Sequence, residues 1–372
     1  MSFPTRANGG DRQLSVHSAA ERVHRPRTSQ EHSDEVTASH PKHWYGSRSL
    51  REVRPRARLI FLFSLPRCGS TLLQRILAGH RDITSVAEPW LLLPPFYALR
   101  PRGVRAEYEH ASLAQAMRDL LEELPEGEKS YRRAVRDFSL SMYSQIASPE
   151  AAYFLDKTPR YSLIVEEIVE TFPDAKFIFL WRNPLAMMAS MLTLSPSSWL
   201  VNEFHEDLVR GLPNLLHCAT ELDDQCVEVR YEDFIHDPGQ QLRLVMEYLG
   251  LEYEVDLLRT FDKITFKGSL GDRQSSEQYR QIDEEPLERW KSFLRTPIRK
   301  WWCRRYLKLI AGIGLESRGY DIGSLRQELD DLPINAIEIL RDLSRLPGST
   351  RAAIPRLILR RAFRSPGSTT TP

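Results

Sequence analysis

Four stretches of the 372-residue sequence carry side chains suited to chemistry on an anion. The first is Ser64-Leu-Pro-Arg67-Cys68-Gly69-Ser70-Thr71-Leu72, which follows the apolar run Leu59 to Phe63 and precedes Leu72, Leu73, Ile76 and Leu77 at helical spacing. A strand, a tight turn and a helix start make an anion cradle, because the first helical N–H groups are unpaired and carry partial positive charge. Arg67 adds a full charge whose fork suits phosphate or sulfate oxygens. The second is Glu88, a carboxylate just before Pro89 and so at a strand edge, a position for a general base or for an ordinary surface Glu. The third is Lys157, in Asp-Lys-Thr-Pro at another strand end, where open parallel sheets bind ligands. The fourth is Arg182-Asn-Pro with Ser190 eight residues on, about two helical turns, so both could face a second anionic group. Taken singly, that pair is also compatible with a surface Arg and a helix-filling Ser.

Two familiar phosphate loops are excluded by spacing. A nucleotide-hydrolysing loop needs Gly-x-x-x-x-Gly-Lys-Ser/Thr, whereas here Ser64 stands at the first Gly and Ser70 at the Lys. A tyrosine-phosphatase loop needs five residues between Cys and Arg, and Cys68 and Arg75 are separated by six, with Arg75 a turn into the helix.

The elements that must position these residues alternate. Apolar strands are expected at Leu59–Phe63, Ile83–Ala87, Ala151–Leu155, Lys176–Trp181 and Cys226–Tyr231, with helices between, among them Pro238–Leu249 closed by Gly250. Two helical pieces in 106–147, broken at Leu124-Pro-Glu-Gly127, form a cap. The expected fold class is therefore α/β, a P-loop-like three-layer α/β/α arrangement with a mostly parallel central sheet. Residues 1–55, rich in Arg, His, Ser, Thr and Pro, read as a disordered N-terminal segment, 56–320 as the α/β domain and 321–372 as a helical, basic tail. In that tail Arg351, Arg356, Arg360, Arg361 and Arg364 interleave with Ile354, Leu357, Ile358, Leu359 and Phe363, which suits a membrane-surface helix or a flexible basic tail.

Composition narrows the function classes. Apolar content of 41% and aromatic content of 9% are those of a globular protein, and a net charge of +1 argues against a general nucleic-acid coat. Cys68, Cys218, Cys226 and Cys303 lack the short paired spacings of a zinc site or disulfide framework, so no metal is expected. No apolar segment approaches the roughly 20 residues of a membrane span. The N-terminus has no apolar signal core, and the expected location is cytoplasmic.

The four stretches in this order resemble the sulfotransferases that use 3′-phosphoadenosine 5′-phosphosulfate (PAPS), in the branch with tyrosylprotein, carbohydrate and many bacterial sulfotransferases. The likeness runs from about Arg58 to Tyr320. Pro66-Arg67-Cys68-Gly69-Ser70-Thr71-Leu72-Leu73 is similar to the family's 5′-phosphosulfate loop, and Arg182-Asn183-Pro184 through Ser190 to its 3′-phosphate motif. The resemblance implies that Arg67, Cys68, Gly69, Ser70, Thr71, Leu72, Arg182, Ser190 and Tyr231 bind the donor. It also implies that Glu88 is the general base and that Lys157, with Arg67, neutralises the leaving oxygen. A loop with Arg273, Ser275 and Arg280 resembles a cofactor-covering segment. Cys68 stands where the family commonly has Ser, and Trp90 where the tyrosylprotein branch has Arg, which speaks against a tyrosylprotein acceptor.

The implied reaction moves a sulfuryl group from PAPS to a hydroxyl, with an amine as second choice, on a carbohydrate, lipid or small metabolite, leaving 3′,5′-adenosine bisphosphate (PAP). The competing readings are a P-loop-type kinase or phosphotransferase and a non-catalytic nucleotide-binding protein on the same fold.

Overall fold

The computed structural model describes residues 57–194, 204–268 and 281–345. The expected N-terminal segment 1–55, the loop with Arg273, Ser275 and Arg280, and the basic stretch from Arg351 onward lie outside the described residues. Five strands form one parallel sheet: β1 (Arg58–Ser64), β2 (Ile83–Ser85), β3 (Tyr153–Asp156), β4 (Lys176–Trp181) and β5 (Cys226–Arg230), in the spatial order β2-β3-β1-β4-β5. Every described strand pair is parallel, where the sequence predicts a mostly parallel sheet. β2 stops two residues short of the predicted Ala87, ahead of Pro89. Tyr231, expected at the end of β5, instead opens the next helix.

β1 and β4 are continuous apolar runs because helices cover both faces of a parallel sheet. Phe61, Phe63, Phe177, Phe179 and Trp181, two residues apart along each strand, stack on one face with successive ring centroids 5.3–6.2 Å apart. Around the sheet lie α1 (Ser70–Leu77), α2 (Leu93–Tyr97), the cap helices α3 (His110–Glu123) and α4 (Glu128–Ile146), α5 (Val165–Thr171), α6 (Pro184–Leu194), α7 (Leu212–Leu222), α8 (Tyr231–His236) and α9 (Pro238–Leu249). Gly250 closes α9 at φ 69°, as expected of a helix-stopping glycine. Beyond Tyr320, helix Ile322–Asp331 buries Ile322, Leu325 and Leu329 in the same core, and a last helix spans Ala336–Arg345. Among the described residues no helix is long and apolar enough to cross a membrane.

Because all five strands run parallel, their carboxyl ends, Ser64, Ser85, Asp156, Trp181 and Arg230, lie on one edge of the sheet. Arg67, Glu88, Lys157, Arg182 and Tyr231 each follow one of those ends within three residues. The chain leaves β1 toward β2 on one side and β4 toward β5 on the other, so the connections diverge between two adjacent strands. That divergence opens a crevice above the strand ends, where sheets of this kind take their ligands.

Candidate active site

The turn after β1 is built around two residues with left-handed backbone, Arg67 (φ 69°) and Gly69 (φ 94°). Gly69 caps α1, no side chain caps the helix, and its first turn carries no acidic residue. The positive end of α1 is thus left for something other than the protein's own carboxylates. Only glycine fits at position 69: a Cβ there would lie 2.5 Å from Cδ2 of the Tyr231 ring, itself 1% exposed. Cys68 and Leu72 give the site no side chain. The thiol of Cys68 meets the sulfur of Met187 at 3.8 Å, and Leu72 is buried in the core. Burial pushes that thiol up to about 12 against the opposing pull of Arg182.

The turn after β4 meets the same place. Asn183 caps α6, its Oδ1 accepting from the N–H groups of Leu185 (2.8 Å) and Ala186 (3.4 Å), and Pro184 takes the first helical position. Leu185 through Ala189, with Met191 and Leu192, are all buried, so Ser190 interrupts an otherwise apolar stretch of α6. Its hydroxyl accepts from Nε of Arg67 at 3.0 Å, which leaves the hydroxyl proton to donate. Arg182 donates through Nη1 to the carbonyl of Arg67 at 2.9 Å and through Nη2 to that of Pro286 at 3.0 Å. Its guanidinium stacks 4.3 Å from the centre of the Tyr231 ring, and its buried Nε has no partner among the described residues. The two anion motifs of the sequence are therefore in direct contact, and the orphaned N–H beside a glycine cradle fits an anionic ligand.

Glu88 and Lys157 form an ion pair at 2.8 Å, with side chains 13% and 2% exposed. Lys157 Nζ also lies 3.4 Å from the Thr71 hydroxyl, joining the carboxylate to the loop. Trp90 Nε1 donates to the other Glu88 oxygen at 3.2 Å. Three described non-glycine residues have left-handed backbone, Arg67, Trp90 (φ 54°) and Asp223, and two of them stand here. Such conformations cost about 1–2 kcal/mol per residue and persist where the surroundings impose them.

The model of the family described as "Sulfotransferase family" matches residues 58–255, more than half of the chain and all four stretches. The chain belongs to the sulfotransferase family. Over 277 residues it is 30% identical to the nodulation protein NoeE of Sinorhizobium fredii, a match covering 66% of this chain and 62% of NoeE. Protein-tyrosine sulfotransferase 1 of Danio rerio is 23% identical over 241 residues, covering 62% of this chain and 65% of that protein. The chain thus spans somewhat less than two thirds of the length of these relatives. Among solved structures, the sulfotransferase domain from the curacin biosynthetic pathway is similar, with 23% identity and a TM-score of 0.47 over 72% of this chain and 99% of that one.

Several residues that hold this candidate site in place escaped sequence reasoning. Asp156, the last residue of β3, is fully buried and accepts from Tyr143 of the cap (2.6 Å), Tyr161 (3.1 Å) and Thr158 (2.9 Å). Burial raises its carboxyl to about 6, only partly offset by those three hydrogen bonds. The Tyr161 hydroxyl in turn accepts from the N–H of Leu92 at 3.2 Å, so one knot ties β3 and Lys157 to the segment carrying Glu88 and Trp90. Gln74 of α1 fixes the same segment from the other side, donating to Ser85 Oγ (2.9 Å) and the Val86 carbonyl (2.8 Å). At β4, Glu232 accepts from the N–H of Asn183 (2.8 Å) and the hydroxyl of Tyr320 (2.6 Å), steadying the turn that carries Arg182. The sequence marks Trp90 only as a departure from the tyrosylprotein branch, and its hydrogen bond to Glu88 comes from the fold.

Proposed function

We propose that this chain transfers the sulfuryl group of PAPS to a hydroxyl of an acceptor, with Glu88 as general base. The observation that carries the reading is the contact of the Arg67 turn with Arg182 and Ser190, beside the Glu88–Lys157 pair, on one sheet edge. Arg67, the N–H groups of Gly69 to Thr71 and the Thr71 hydroxyl hold the 5′-phosphosulfate. Arg182 and the Ser190 hydroxyl hold the 3′-phosphate, and Tyr231, stacked on Arg182, flanks the nucleotide. In the reaction an acceptor oxygen bonds to sulfur as sulfur's bond to the bridging phosphate oxygen breaks. The acceptor proton passes to Glu88, and PAP departs. Lys157, in reach of both Glu88 and Thr71, compensates charge as it moves from the carboxylate side to the leaving oxygen. By analogy with phosphoryl transfer, positioning and charge stabilisation supply most of the rate.

The test is untargeted mass spectrometry of cell metabolites incubated with PAPS and the protein, scored for gain of sulfate. A sulfated product should appear, and Glu88→Gln should lower its rate by about 10²–10⁴-fold while leaving PAP binding intact. Undiminished transfer by Glu88→Gln would reject the base. A thermal shift with ATP–Mg²⁺ and none with PAP would reject the donor and favour a phosphotransferase.

A further inference from the structure

The last described helix, Ala336–Arg345, is mounted with its charged side inward. Arg299, 1% exposed, donates through Nη2 to Glu338 (2.9 Å) and Asp342 (2.5 Å), one turn apart, and through Nη1 to the Phe293 carbonyl (2.7 Å). Asp342, fully buried, also accepts from the Thr296 hydroxyl at 2.6 Å. Asn335 caps the helix, accepting from the N–H groups of Ile337 (3.0 Å) and Glu338 (3.3 Å), and its own N–H donates to the Arg295 carbonyl at 2.9 Å. Rotating the helix to bury its apolar side would strand Arg299 without its carboxylates, which is costly for a buried charge, so the pair fixes the orientation.

The consequence is an amphipathic helix turned inside out, against the usual rule that the apolar stripe faces the core. Ile334, Ile337 and Leu340, three residues apart, are 63%, 67% and 69% exposed, the most exposed large hydrophobic side chains among the described residues. From Leu343 to Pro372 the sequence then holds six arginines and no Asp, Glu or Lys, in a chain whose formal net charge is only +1. Ile354, Leu357, Ile358, Leu359 and Phe363 lie among those arginines.

We infer that the exposed Ile334–Ile337–Leu340 stripe docks on an anionic lipid surface. The stripe enters the boundary between headgroups and acyl chains, and the acid-free, arginine-rich sequence that follows it has the charge that anionic headgroups attract. An apolar face and a basic cluster together supply the two weak signals that reversible membrane attachment requires. A nucleic-acid backbone would answer the arginines but would leave both the stripe and the interleaved aliphatic residues without a role. A second copy would answer the stripe but would bring two acid-free runs of arginine together.

The full-length protein should be cosedimented with vesicles of phosphatidylcholine alone and with about 30 mol% phosphatidylserine. Binding should be at least about tenfold stronger to the anionic vesicles and should fall away as salt rises toward about 0.5 M, where the Debye length is only a few ångströms. Arg356→Ser/Arg360→Ser/Arg361→Ser should lower binding about a hundredfold, at roughly fivefold per arginine. Ile337→Ser/Leu340→Ser, at exposed positions with no role in the helix's attachment, should lower it about tenfold with unchanged Tm. Equal binding to both vesicle types, or full binding by both variants, would overturn the inference. So would a dimer of the wild type that Ile337→Ser/Leu340→Ser dissolves, or binding to a DNA duplex as tight as to anionic vesicles and indifferent to the Ile337 and Leu340 changes.

Discussion

Gly69→Ala strikes the point where the two halves of the site touch. The new methyl would stand 2.5 Å from Cδ2 of Tyr231, so ring and methyl must separate by about 1 Å to reach ordinary carbon contact. Holding alanine at φ 94° costs about 1–2 kcal/mol by itself. Forcing a buried ring aside adds about 1–3 kcal/mol of overpacking, for a total of about 2–5 kcal/mol. At about 2–4 °C per kcal/mol for a domain of this size, Tm should drop by roughly 4–20 °C. The displaced ring carries the stacked Arg182 with it, so affinity for PAP should fall about tenfold in isothermal titration calorimetry. In a Tyr231→Ala background the same alanine should cost only the left-handed strain, about 1–2 kcal/mol, because the steric part has no partner left. A Tm within about 2 °C of wild type together with unchanged PAP affinity would refute the reasoning.

Asp156 makes a pH prediction whose sign is unusual for a carboxylate. Its folded-state value of about 6 lies above the ordinary 3.8, so the folded protein holds this proton more tightly, and the group's contribution to stability falls by about 2 kcal/mol between pH 4 and pH 6. The difference in urea-unfolding stability between wild type and Asp156→Asn should therefore shrink by that amount across the window; a pH-independent difference would contradict it. Asp207, also raised to about 6 by burial despite its ion pair with Arg160, adds a slope of the same sign to both proteins. Cys68, with its thiol pushed up to about 12, should resist iodoacetamide at pH 8 in the folded protein, and Cys68→Ser should alter kcat by no more than about threefold. Stoichiometric alkylation with loss of activity would show otherwise. Trp90→Phe removes one hydrogen bond to Glu88 and should lower kcat about tenfold with little effect on donor affinity; equal kcat would remove Trp90 from the site.

Much of this was legible because it is local. β1 and β4 are uninterrupted apolar runs, and each anion motif is a strand end followed by a helix start, so its residue types and spacing carry its geometry. What the chain hides is partner choice across distance. Glu88 and Lys157 are 69 residues apart, and position alone left Glu88 open to being a surface residue until the fold paired them. Arg67 and Ser190 read as parts of two pockets, yet 123 residues apart they share one hydrogen bond. Asp156 sits inside the quoted Asp-Lys-Thr-Pro, but nothing local says that tyrosines from a cap helix and from the next turn will close over it. Helix Ala336–Arg345, which the sequence marks only as part of a helical, basic tail, departs from the usual amphipathic rule because a buried arginine draws its acidic side inward.

Calorimetry with PAP and with 5′-AMP tests the central claim, that the Arg67 turn and the Arg182–Ser190 face grip one nucleotide at two ends. Wild type should prefer PAP by about 30-fold or more, the worth of a charge-assisted contact to the 3′-phosphate. In Arg182→Ala that preference should collapse to within about threefold, with 5′-AMP bound nearly as in wild type. Equal affinity of wild type for both nucleotides, or an undiminished preference in Arg182→Ala, would contradict the account.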